Sequence, residues 1–140
     1  MRTIIFGLLL FTVIISCQDK GDRKKEYDKN SYETTKEDLL SKEKKKPESF
    51  ITVSGHNRRN LIGQTVVKGM VTNRATVAIY KDVDVKMEFY SKTGTLLETD
   101  HEVVFEILTP GQSKNFKTKY FAPKGTDSVA LQVVGAKLAN

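Results

Sequence analysis

The one thiol of this 140-residue chain, Cys17, stands where an apolar run gives way to charge, in I-I-S-C-Q-D-K-G-D at residues 14–22. It has no second cysteine with which to form a disulfide. The other groups able to do chemistry gather in three places. Asp82-x-Asp84 puts two carboxylates on one face of an extended segment, Asp100-His101-Glu102 is the densest titratable cluster, and Lys114, Lys117 and Lys119 interleave with Phe116 and Tyr120. Asp82, Asp84, Asp100, His101 and Glu102 are the candidates for a weak cation site. Zinc and calcium ask for a larger defined ligand set, and solvated charge on the outer face of a strand is the plainer expectation. Lys114, Lys117 and Lys119 are the candidates for an interaction surface, facing an anionic polymer or lipid headgroups. Lysines along an edge also protect a sheet from edge-to-edge pairing. His56 and His101 are far apart, and there is no G-x-S-x-G, no Ser/His/Asp order and no phosphate-cradling glycine loop. The expectation is a protein that is not an enzyme and needs no cofactor or metal.

These residues depend on what places them. Arg2 precedes Ile4 to Ile15, a stretch without charge that has the length of a signal-peptide core and falls short of the about 20 residues that span a bilayer. Ile14-Ile15-Ser16-Cys17 resembles the bacterial lipobox, with Ile14 where leucine is commonest. The resemblance implies that residues 1–16 are a signal peptide cut between Ser16 and Cys17. It implies a diacylglyceryl thioether on Cys17 and acylation of the new amine, and two or more chains anchor a protein stably. The mature protein would sit in the bacterial cell envelope, held to a membrane through Cys17, where nucleic acid is not an expected partner. Gln18-Asp19-Lys20-Gly21-Asp22 is similar to the charged signals after the lipidated cysteine of some Bacteroidetes surface lipoproteins. That points to the outer membrane and a surface-exposed protein.

Residues 17–49 form the next unit. From Gln18 to Ser49 the chain has ten basic and nine acidic residues, and Leu39 and Leu40 are its only large aliphatic side chains. So little apolar surface cannot offset the entropy of ordering, so a flexible tether is expected, with a mean reach of about 30 Å. A short helical turn at Thr35–Leu40 is the one local alternative, because Thr35 and Asp38 have capping-box spacing.

From residue 50 to 140 the hydrophobic period is two. Asp82 to Phe89 alternates polar and apolar, as do Val67, Gly69, Val71 and Asn73 against Lys68, Met70 and Thr72. Val103, Phe105 and Ile107, then Phe116, Thr118 and Tyr120, then Val129, Leu131 and Val133 continue the pattern, with turn signals at Asn73-Arg74, Ser91–Gly94, Thr109–Gly111 and Pro123–Gly125. Half-buried strands at this spacing, with no long helix, predict a single all-β antiparallel sandwich. In that arrangement Phe116 and Tyr120 face the core while Lys117 and Lys119 face out. Gly69 in mid-strand implies a close approach by a large side chain or backbone.

The order V-x-G-x-V-x-N at Val67 to Asn73, V-x-V-x-M-x-F-Y at Val83 to Tyr90, T-G-T-L-L at Thr93 to Leu97 and L-T-P-G at Leu108 to Gly111 resembles the FxLYD-type domain. Tyr90-Ser91 stands where that family has Tyr-Asp. The resemblance implies an immunoglobulin-like sandwich and carries no catalytic motif. The expected function is a non-catalytic interaction module of the cell envelope, contacting an envelope protein or an anionic polymer. A small-ligand or cation-binding domain is the alternative.

Overall fold

The computed structural model describes residues 21–139. A helix, α1 (Gly21–Lys45), and a 3-10 turn at Pro47–Ser49 lead into six strands: β1 (Ile51–Arg59), β2 (Thr65–Asn73), β3 (Tyr80–Ser91), β4 (Leu96–Val104), β5 (Ser113–Tyr120) and β6 (Thr126–Leu138). They form two three-stranded antiparallel sheets, ordered β1-β2-β5 and β4-β3-β6. The fold is an all-β sandwich, and this strand order matches A-B-E and C′-C-F of an immunoglobulin sandwich.

The two-residue period sets which side chains fill the space between the sheets. On β3, Val83, Val85, Met87 and Phe89 are buried, and Asp84, Lys86 and Glu88 point outward. On β2, Val67, Val71 and Asn73 are buried, while Lys68 and Met70 are exposed. The Phe89 ring stacks on Tyr120 at 4.9 Å between centroids, joining the two sheets. Gly69 has the expected reason. It pairs with Gly55 on one side and Phe116 on the other, and a Cβ there would clash with the Phe116 ring. Asn73 does more than end its strand. Its Oδ1 accepts from the Ala75 N–H at 2.8 Å, and its Nδ2 donates to the carbonyls of Ala78 and Leu108, each at 2.9 Å. One buried amide thus binds two loops together, which satisfies backbone groups that would otherwise be stranded.

Two expectations need correction. Residues Gly21–Lys45 are helical and are not a coil. The Thr35 hydroxyl, expected in a capping box, donates instead to the Ser31 carbonyl in mid-helix. What docks the helix is a charged residue. Glu43 is buried, and its carboxylate accepts from the N–H groups of Thr76 at 2.6 Å, Val77 at 3.0 Å and Ala78 at 2.7 Å. The Tyr80 hydroxyl donates to the Glu43 carbonyl at 2.9 Å. Three amide donors compensate the desolvation of one carboxylate, so the packed unit starts at the last turn of α1 and not at Phe50.

The second correction concerns phase. Val103, Phe105 and Ile107 were expected to face inward, but Val104 and Leu108 are buried and Phe105 is 80% exposed. β4 stops at Val104, whose carbonyl accepts from the Glu106 N–H at 2.9 Å. The phase is already set within β4, where Val103 pairs with outward Asp84 and Val104 with buried Val83, so the odd-numbered positions face out.

Candidate functional site

The register of β1, β2 and β5 lines up in cross-strand rows the side chains of the outer parity of this sheet, of which Val66 alone is buried among the described residues. Arg58, Val66 and Lys119 form one row, His56, Lys68 and Lys117 the next, then Ser54, Met70 and Asn115, then Thr52, Thr72 and Ser113. Among the described residues every group on this face able to carry charge is basic, and no carboxylate belongs to it. None of its cations takes part in an ion pair among the described residues. Between the middle rows runs a groove of about 460 Å³, lined by Ser54, His56, Lys68, Met70, Asn115 and Lys117, with Gly55, Gly69 and Phe116 at its floor. His56, Lys68 and Lys117 form one wall of the groove and Ser54, Met70 and Asn115 the other, while the glycines lack side chains on the core side, where Leu131 and Phe116 pack against them.

Of the three lysines singled out in the sequence, Lys117 and Lys119 lie here. Lys114 does not. It has the parity of Phe116, and its Nζ reaches Glu106 Oε2 at 3.4 Å. Arg58, His56 and Lys68 complete the face. His56 and Lys68 look unremarkable in the sequence, because only strand pairing sets Lys68 directly opposite both His56 and Lys117.

The candidate cation set is dispersed. Asp84 and His101 do meet, with His101 Nδ1 2.9 Å from Asp84 Oδ1 on the outer face of the β4-β3-β6 sheet. Asp100 and Glu102 pair with Met87 and Val85 and so take the opposite face of β4. Asp82 sits in an irregular stretch of β3 with a φ of 49°, and accepts a hydrogen bond from Lys137 at 3.1 Å. No group of three or more potential metal ligands exists among the described residues.

Charge on this second sheet is satisfied locally. Lys86 Nζ lies 2.8 Å from Glu88 Oε1, and the Tyr90 hydroxyl donates to Glu88 Oε2 at 3.0 Å. The Lys86 and Tyr90 hydrogen bonds hold the Glu88 carboxyl below its usual range. The Tyr120 hydroxyl donates to Glu98 Oε1 at 2.8 Å, and this bond together with burial raises the phenol to about 12. Burial, with the Glu43 charge beside it, also lifts Tyr80 to about 12.

Ser16 and Cys17, the cleavage and lipidation positions expected from the sequence, lie outside the described residues. Among those described, no helix is long and apolar enough to cross a membrane. Comparison with protein-family models, curated proteins and solved structures finds no match to this chain.

Proposed function

We propose that this chain is a bacterial envelope lipoprotein, anchored through Cys17, whose FxLYD-like sandwich is a non-catalytic binding module for an anionic polymer or an acidic protein surface. The observation that carries the reading is the outward face of β1, β2 and β5, where His56, Lys68 and Lys117 wall one side of a groove, Arg58 and Lys119 stand in the next row, and no carboxylate intervenes among the described residues. Lys68 and Lys117 stand directly opposite each other, and like charges in that relation oppose folding slightly. An arrangement that is mildly unfavourable alone becomes favourable once an anion lies between the two ammonium groups. The lipobox residues and the charged stretch after Cys17 support the anchor, and the groove supports the module.

The full chain, reconstituted in phosphatidylcholine vesicles, tests this reading with heparin as a generic polyanion. Binding should weaken steeply with salt, as contacts that release counterions do. The double change Lys68→Gln with Lys117→Gln should weaken it by about tenfold or more. Binding that ignores both salt and these substitutions sinks the basic-face reading. The anchor is tested separately: Cys17→Ala should abolish incorporation of labelled palmitate.

A further inference from the structure

The end of the sandwich farthest from α1 carries apolar side chains held out into solvent. The turn between β1 and β2 exposes Leu61 completely (107%) and Ile62 at 72%, and Phe121, just past β5, is 71% exposed. Register places them together: Arg59 pairs with Thr65, and Thr65 with Tyr120. Leu96 and Leu97 reach the same end from the other sheet, because Leu96 pairs with Tyr90 near the β3–β4 turn.

Their exposure is not slack in the chain. Asn60 Oδ1 accepts from the N–H groups of Ile62 at 3.1 Å and Gln64 at 2.8 Å, Asn60 Nδ2 donates to Gln64 Oε1 at 3.0 Å, and the Asn60 N–H donates to the Gln64 carbonyl at 2.8 Å. Gly63 supplies the positive φ of 82° that closes the turn. A turn this well organised could bury a leucine by modest rearrangement only at the expense of those bonds, so the side chains stay out. Around them stand exposed cations on both flanks, Arg58 and Arg59 before the turn, Lys119 and Lys124 beside Phe121, and Lys92 in the β3–β4 turn. Of the carboxylates at this end, Glu98 is engaged by Tyr120, and Asp127 is exposed.

We infer that this tip is a membrane-contact device: Leu61, Ile62 and Phe121 enter the interfacial layer of an anionic bilayer while the ring of Arg and Lys side chains sits among the headgroups. Separate protruding knobs on two turns fit a deformable partner. A protein surface would have to supply a shaped pocket for each, whereas a lipid interface accommodates each without complementarity. Basic residues near an anionic leaflet add attraction within a Debye length. The inference does not depend on the groove of the basic face, which lies along the sheet and not at its end.

The chain contains no tryptophan, so Ile62→Trp introduces a unique reporter at a position where solvent exposure makes the fold indifferent to the change. The full chain is reconstituted in phosphatidylcholine vesicles, and acceptor vesicles containing phosphatidylglycerol and brominated lipid are added. Blue-shifted, quenched emission is expected, weakened about tenfold or more in apparent affinity by adding Leu61→Asp, since one buried leucine side chain is lost. Acceptors of phosphatidylcholine alone should quench far less. Bromination confined to the host bilayer distinguishes contact with the chain's own membrane from contact with a facing one, and either supports the inference. Phe121→Trp serves as a second reporter. A reporter at the opposite end, Phe105→Trp, should stay unquenched by the acceptors. Equal quenching there, or no quenching of either tip reporter by anionic vesicles, overturns the inference and leaves a protein partner as the tip's occupant.

Discussion

The two sheets of this sandwich share one core and treat charge in opposite ways. On the outer face of β4-β3-β6, Asp84 meets His101, Lys86 meets Glu88, and Asp82 meets Lys137. On the outer face of β1-β2-β5, Arg58, His56, Lys68, Lys117 and Lys119 share rows with one another and with neutral side chains. The first face is complete without a partner. The second accumulates repulsion that an anion would relieve, and the groove beside Lys68 and Lys117 leaves space for one. A face whose charges are already matched has little electrostatic reason to bind, which is why the basic sheet and not the acidic cluster carries the functional proposal.

The largest test of this contrast asks whether the sheets are energetically one body. Phe89→Ala removes the ring that stacks on Tyr120 across the interface, and should cost about 3–5 kcal/mol in denaturant titrations. Glu88→Ala, on the outer face of the same strand, should leave the transition close to that of the parent chain. Comparable damage from both would mean that the division into inner and outer faces is wrong.

A smaller effect is expected where the basic sheet thins. Gly69→Ala pushes a methyl group against the Phe116 ring and should destabilise by about 1–3 kcal/mol through overpacking. A neutral result would show that the ring swings aside readily and holds no fixed place on the core side of the sheet.

The seam between the sheets also has a pH signature. Tyr80 and Tyr120 are both raised to about 12 from the ordinary 10.0. Between those values the folded chain holds protons that the unfolded chain has released, so stability falls as pH rises. This contribution is intact below about pH 10 and is lost on the way to about 12. Tyr120→Phe should flatten the alkaline limb of a stability–pH curve, and an unchanged slope would exclude Tyr120 as its source.

The smallest effect is the most discriminating, because its sign differs between the faces. Asp84→Asn breaks an exposed pair and should destabilise by no more than about 0.5 kcal/mol. Lys68→Gln removes a like-charge opposition and should stabilise by about 0.2–0.5 kcal/mol. If both changes destabilise, the basic face is not strained, and the argument from its unmatched charge fails.

Much of this was legible in the residues, and the exceptions have a common cause. Alternation along β2 and β3 correctly assigns Val67, Val71, Val85 and Phe89 to the core, because a strand with one wet face writes its burial into a period of two. Gly69 announced a close neighbour, and Asn73 a turn. The basic face was visible only in part, as Lys117 and Lys119. Lys68 and His56 join it through pairing between distant strands, and local sequence holds no record of which rows will align. The same limit hid the docking of α1. Its composition argues for a coil, and its burial rests on Glu43, a residue type almost never buried unless paired. The amides that pair with it lie more than 30 residues away, at Thr76 to Ala78.

That grip on Glu43 has a mechanical consequence. Four hydrogen bonds from one short loop and its adjoining strand converge on a single residue near the helix end, so the joint resists both bending and twisting. A 25-residue helix is a lever about 37 Å long at 1.5 Å per residue. Were residues 21–45 a coil, the sandwich would take every orientation relative to them. With the joint locked, the swing of the lever and the heading of the sandwich are one motion, and the end bearing Leu61 and Phe121 is aimed like the head of a boom.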